Sequence, residues 1–401
     1  MKLKSWTMNV ALALTMCATD LIGAPLQPRT DINPAVLYWQ GFSLYPELKD
    51  EIRKEFLATP PTLPLEDAEP VIKQFDGMMK CVKRAAQMKM PCDWGIDLSD
   101  GPEALIPNLI KIRKCSQASV ARAHYLLDSG REQQAGEELG TIVVLGRNAG
   151  KDGTLVGTMI GIAVEGLIND FVAKNFYRFT PPALLAFRAI VDNAPRAHTV
   201  KQAMGVERAA FLEWFINKFE EIQLANTDKT VAMEKARALL TSNLERDDEQ
   251  VDKIFADAGN TVSGLVSSFR SLEPIYQLMQ ETASVPPDKL KESSSQLRSL
   301  IQTHTNTIAQ LIIPNLERAR AREMEHIART AMVRAAIALR LEGEDGFQKV
   351  KDPFGTGPLV LRRLPTDSGE VGFELDTRLS EVRTNVSVKF FEDKPVKPSK
   401  R

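Results

Sequence analysis

Ala118–Ala149, ASVARAHYLLDSGREQQAGEELGTIVVLGRNA, is the stretch that decides the fold. Ala121, Tyr125 and Leu126 recur at helical spacing, Gly130 interrupts them, and Ala135, Leu139 and Val143 resume the spacing. A glycine between two such stripes permits the left-handed backbone of a tight turn. The segment therefore predicts two antiparallel helices, similar to one tetratricopeptide-type hairpin, with no further copy at a fixed period. Glycines also recur four apart, Gly136 and Gly140 on one helix and Gly153, Gly157 and Gly161 near or on the next. Glycine inside a soluble helix costs about 1 kcal/mol relative to alanine. Close approach of helix backbones is the expected reason for both rows, and a ligand passing over them is the alternative.

The helical period extends from Asn33 to about Leu341. Asn33-Pro34 supplies an N-cap and a proline at the first helical position. Helices are expected at about 65–88, 103–129, 132–149, 153–176, 181–193, 199–223 and 228–243, then 247–284 with a break near Pro274, 288–312 and 315–341. Thr59–Pro64 reads as a linker and Pro91–Pro102 as a loop. The stretch 247–310 is rich in Ser, Thr, Gln and Asp, and its thin apolar stripes suit a long exposed hairpin as well as core. After Gly343 the period shortens to two. Leu359–Leu361, Val371–Leu375 and Val386–Phe390 read as three strands, with a turn at Asp367-Ser-Gly369. So small a β element needs the helices to dock on. The expected fold is mainly α, a multi-helix antiparallel hairpin array, partly tetratricopeptide-like, with a small C-terminal β element. Its divisions are a signal segment 1–24, N-terminal helices and a Pro-rich linker 25–64, a helical body 65–343, the β element 344–392 and a disordered basic tail 393–401.

Residues 1–24 have the build of a secretory signal peptide: Lys2 and Lys4, a mostly apolar Val10–Met16, then small residues up to Gly23-Ala24. That apolar run is shorter than the roughly 20 residues a membrane helix needs. The best later candidate, Leu155–Ile168, contains Glu165, so no transmembrane helix is expected after the signal segment. Export places the mature chain in a periplasm, on an envelope or outside the cell. The net charge is −1 with both signs interleaved, which argues against a nucleic-acid partner. The biased end, Lys394–Arg401, reads as a solvated tail.

The densest chemistry lies in Cys92–Pro102, CDWGIDLSDGP. Asp93, Asp97 and Asp100 could supply oxygen ligands to a hard cation such as calcium, although not at EF-hand spacing. They could equally furnish the paired carboxylates of a hydrolase. The structural alternative has Asp100 or Ser99 capping the next helix, Gly95 and Gly101 making turns, and Trp94 anchoring the loop in the core. Gly146–Asp152 carries only part of a phosphate-loop pattern, with Asp152 where Ser or Thr would hold magnesium. His124, His198, His304 and His326 are widely separated, and Glu323, Glu325 and His326 read as one solvated helix face. Cys81, Cys92 and Cys115 match neither a redox pair nor a zinc set. If the helices around Cys81 and Cys115 form an antiparallel hairpin, those two can pair as a disulfide; three free thiols are the alternative. Asn385-Val-Ser387 matches a glycosylation acceptor.

Cys92-Asp-Trp-Gly-Ile-Asp with Asp100-Gly-Pro102, then Leu145-Gly-Arg and Gly150-Lys-Asp-Gly, resembles a group of uncharacterised exported bacterial helical proteins. So does Ala335–Arg340 leading into Asp352-Pro-Phe-Gly and Pro358–Arg363. The resemblance implies a helical body with a β-hairpin after the Asp-Pro-Phe turn, and brings no activity with it. The chain departs from that pattern between Leu341 and Asp352, where a Gly-x-Tyr-Pro stretch is missing. The expected function is a non-catalytic scaffold or adaptor of the cell envelope, without cofactor and with a protein partner. The alternative is a hydrolase or metal-binding protein using the loop 92–102.

Overall fold

The computed structural model describes residues 29–244, 248–304, 306–312, 316–365, 371–377 and 386–390. The signal segment, the 367–369 turn, Asn385 and the basic end lie outside the described residues. The first eight helices are α1 Pro34–Ser43, α2 Asp50–Phe56, α3 Leu65–Gln74, α4 Asp76–Ala86, α5 Pro107–Asp128, α6 Glu132–Ala149, α7 Leu155–Lys174 and α8 Pro181–Asp192. Next come α9 Val200–Glu207, a π turn Arg208–Glu213, α10 Trp214–Ala225, α11 Lys229–Leu244, α12 Asp248–Asp257 and α13 Val262–Arg270. The last helices are α14 Glu273–Thr282, α15 Pro287–Thr303, α16 Thr307–Ile312 and α17 Leu316–Lys349. Strands β1 Val360–Pro365, β2 Val371–Asp376 and β3 Ser387–Phe390 form one antiparallel sheet in the order β1-β2-β3.

Two hydrophobic cores organise these elements. The first gathers α1–α8, the later part of α17 and the sheet, with Leu290 of α15 added. The second gathers α9–α16 and the start of α17. Two long helices serve both. Leu155 and Met159 of α7 pack on the second core while Val164, Ile168 and Phe171 enter the first. Leu316 and Ala319 of α17 enter the second, and Met324, Ala328 and Met332 the first.

The predicted hairpin forms. α5 and α6 are joined at Gly130, whose φ is +71°, and the Arg131 amide donates to the Leu126 carbonyl at 2.8 Å. Arg122, fully buried, donates to both carboxylate oxygens of Glu138 at 3.1 and 2.8 Å, to Asp76 at 3.0 Å and to the Ile72 carbonyl. This fork ties α3, α4 and α6 to α5 and neutralises a charge that would otherwise be costly to bury.

The glycine rows do pack closely, against two different neighbours. A β-carbon on Gly136 would sit 2.6 Å from the Ala183 carbonyl oxygen of α8, and one on Gly140 3.0 Å from Ile190. One on Gly161 would sit 2.7 Å from the Gly146 carbonyl oxygen, and one on Gly146 2.8 Å from Val164. Thus α6 is pinched between α7 and α8.

Several boundaries differ from the sequence reading. The helix expected over 65–88 divides at Phe75, and the one over 199–223 loosens into the π turn. The stretch 247–284 forms three helices, broken at Gly259-Asn260, both with positive φ, and at Ser271-Leu272; Pro274 lies in the first turn of α14. Nor is 247–310 an exposed hairpin. Val251, Ile254, Leu265, Phe269, Ile275 and Met279 are buried in the second core. Short helices clustered together need only two or three apolar residues each to close a core, so thin stripes suffice. The long helix α17 breaks at Gly343, whose backbone is not helical (φ +71°, ψ −161°); the expected boundary at 343 falls on this kink, and a further helical segment follows it to Lys349.

The sheet docks as expected. Phe373 pairs with Phe390 across β2 and β3, their rings 4.9 Å apart, and Phe390 meets Phe176 edge-on at 5.1 Å. Arg340 of α17 lies 5.3 Å from the Phe176 ring and donates to the Phe176 carbonyl.

These contacts separate two glycines of α7. Gly161→Ala meets backbone and should destabilise by about 1–3 kcal/mol. Gly166→Ala meets nothing within 4 Å and should stabilise by about 0.4–1 kcal/mol. Urea denaturation of the two variants checks the pair; equal effects would contradict the close crossing.

Candidate functional site

The acidic loop is built as a brace. Asn33, the N-cap of α1, accepts from the Asp93 amide at 3.1 Å and donates to its carbonyl at 2.6 Å. Trp94 is buried, stacks on Tyr38 and Phe42, and donates to the Asn148 carbonyl of α6 at 2.6 Å. On the other side, Trp214 of α10 donates to the Ser99 carbonyl at 2.6 Å and covers Gly101, leaving no room there for a β-carbon. The loop thus straps the first core to the second.

The three aspartates do not converge. Asp93 accepts from the Gly95 amide at 2.9 Å and Asp97 from the Ser99 amide at 2.8 Å, each closing a local turn of the kind aspartate favours. That bonding holds the exposed Asp97 carboxyl below its ordinary range. Asp100 is exposed and makes no side-chain cap on the short turn that follows. Among the described residues, no group of three His, Cys, Asp or Glu side chains is placed to hold a metal ion.

Cys81, Cys92 and Cys115 are free thiols, so the Cys81–Cys115 bridge is not formed. The hairpin it required is absent as well: α4 lies mainly against α1 and α6 rather than alongside α5. Burial first pushes the Cys92 and Cys115 thiols up to about 12, which leaves them without reactive thiolate at neutral pH.

Sequence reasoning missed the polar centre, a groove of about 800 Å³ between α7, α8, the 196–199 segment and α17. It runs from Thr199 and Glu323, at the start of α9, along the part of α17 that enters the first core. At its base Glu165 is 2% exposed. Arg147 donates to both its carboxylate oxygens at 3.2 Å, and His326 Nε2 lies 3.7 Å away. Arg147 also donates to the Val191 and Pro195 carbonyls at the end of α8. Burial pushes the Glu165 carboxyl up, but His326 and then Arg147 outweigh it, and the net shift is downward.

Two further groups border the groove. Glu323, 4% exposed, accepts from the Val200 amide at 2.9 Å, so it caps α9, and pairs with Arg320. The His198 Nδ1 shares a hydrogen bond with Thr158 at 3.0 Å, and burial, followed by Lys151, lowers its pKa. Arg188–Glu342 and Arg334–Asp192 link α8 to α17. The Glu323–His326 segment is therefore not a solvated face; of its acids only Glu325 remains partly exposed.

The apolar helix around Glu165 extends to Lys174, and at that length its composition suffices for crossing a bilayer. This departs from the expectation that no such segment follows the signal, which counted only as far as Ile168. Its place between both cores, half buried and carrying an ion-paired glutamate, accounts for the same composition. Comparison of the chain with protein-family models, curated proteins and solved structures finds no match.

Glu165→Gln leaves Arg147 without its anion and should cost about 3–5 kcal/mol at neutral pH. Because the folded carboxyl titrates below the ordinary 4.5, its contribution is complete above that value and is lost as pH falls beneath it. The gap between wild type and variant in urea denaturation should therefore narrow on acidification; a gap constant with pH would remove the ion pair as its cause.

Proposed function

We propose that this chain is an exported, non-catalytic helical scaffold or adaptor of the cell envelope, working through a protein partner. The observation that carries this reading is the use made of the 92–102 loop. Asp93 and Asp97 close local turns, and the loop's tryptophan and backbone groups fasten two helical bodies together. Acid–base hydrolysis asks instead for two carboxyls facing one substrate at a set separation.

The groove favours the same reading. Its charged side chains are largely committed to ion pairs between helices, which makes a fixed surface rather than a nucleophile activated by a base. The histidines support it too. His198 bonds Thr158 and His326 faces Glu165, while His124 pairs with Asp128 and His304 faces the Ser271 carbonyl. Export itself rests on the Lys2–Ala24 segment.

Crosslinking of the mature protein in its native envelope, read by mass spectrometry, should capture one reproducible partner; capture no better than background would sink the adaptor reading. Asp97→Ala with Asp100→Ala should retain that capture with a small loss of thermal stability. A hydrolase or metal site in the loop predicts the opposite pattern: a folded variant that loses turnover, or a wild type whose melting temperature falls with chelator.

A further inference from the structure

The groove has a shape that narrows what can occupy it. α17 lines it with one continuous stripe, Glu323, His326, Thr330, Arg334, Ala338 and Glu342, each three or four residues from the next. At about 1.5 Å per residue the stripe runs about 29 Å. A volume of about 800 Å³ for the centres of water molecules over that length, with a water radius of about 1.4 Å added at each wall, leaves a channel about 8–9 Å wide. A helix with its side chains is about 10–12 Å across and does not fit. An extended chain does, since strands lie side by side at about 4.8 Å, and about nine residues would span the length. A compact small molecule would leave most of the channel unfilled.

Charge sets the sign of the occupant. The cationic side chains on the groove outnumber the anionic ones, and Arg196, Lys349 and Lys351 make no salt bridge among the described residues. Ile162, Ile327, Ala331 and Val350 give it an apolar lining between these charges. The protein's own basic end, Lys394–Arg401, has the wrong sign to serve.

We propose that this groove docks an extended, acidic segment of the partner protein, about nine residues long, with apolar side chains between its carboxylates. The proposal rests on the adaptor reading and names its contact surface. Arg196, Lys349 and Lys351 receive the carboxylates, and the lining around Ala331 receives the apolar side chains.

The test is selection of a displayed random nonapeptide library on the full-length mature protein, followed by fluorescence polarisation with the best binder synthesised. Recovered peptides should be enriched in Asp and Glu with interspersed apolar residues. The combined Arg196→Glu, Lys349→Glu and Lys351→Glu variant and, separately, Ala331→Trp should each weaken binding at least about tenfold with unchanged circular-dichroism melts. The charge variant touches exposed residues only, so it remains decisive if Ala331→Trp unfolds. Absence of a saturable binder, no acidic enrichment, or equal binding by the charge variant would overturn the proposal. If envelope crosslinks to a real partner map away from the groove, this docking site fails while the adaptor reading stands. If no partner is captured, both fail.

Discussion

The Glu165–Arg147 pair is the constraint around which the molecule is arranged. It sits where α7 passes from one hydrophobic core to the other, and its cation also holds two carbonyls at the end of α8. A carboxylate in the middle of an otherwise apolar helix has no water to turn to. It must be met by cations from neighbouring elements, and Arg147 of α6 and His326 of α17 come to it. Four helices are thereby fixed in register at one point, and the groove opens directly beside that point. The charges paired across the groove are consequently part of the framework, not decoration added to it.

The second core, eight helices and the start of α17, is joined to the first by the shared helices α7 and α17 and by well-defined side-chain contacts. The 92–102 loop carries one of them, with Trp94 committed to α6 and Trp214 reaching back from α10 to Ser99. Glu323 capping α9 carries another. Both use hydrogen bonds whose donors and acceptors lie far apart in sequence. An indole N–H is buried comfortably only when a carbonyl is waiting for it, so each of these contacts accepts one geometry and rejects its neighbours.

Much of the architecture was readable from local pattern. The Asn33 cap, the Gly130 turn, the close-packing glycines and the three strands each follow from a residue type whose backbone or spacing allows little else. The groove was not readable, because its members come from five separated stretches and no two of them form a motif. Glu165 looked like an interruption of an apolar run, and Glu323 with His326 looked like solvent-facing charge. One signal was available: an acid inside the most apolar helix of the chain must have a partner, and that requirement marks the place where distant cations converge. The second core escaped for a different reason. Periodicity measures each helix alone, whereas short helices with two or three apolar residues become core only in company.

The route of the chain between the cores has a consequence for how the molecule assembles. Apart from Leu290, the first core is left at Val191 and re-entered at Met324. Its last helix and its sheet are therefore synthesised after the inserted bundle. Closing a loop of about 130 residues without intermediate structure costs roughly 4 kcal/mol in chain entropy, beyond a length-independent constant. The hydrogen bond from Val200 to Glu323 joins the two ends of that loop. Once the inserted bundle has collapsed, its two ends lie side by side, and α17 reaches its seat as a neighbour rather than from the far end of a free chain. The folded insertion thus shortens the effective loop that the surrounding body has to close.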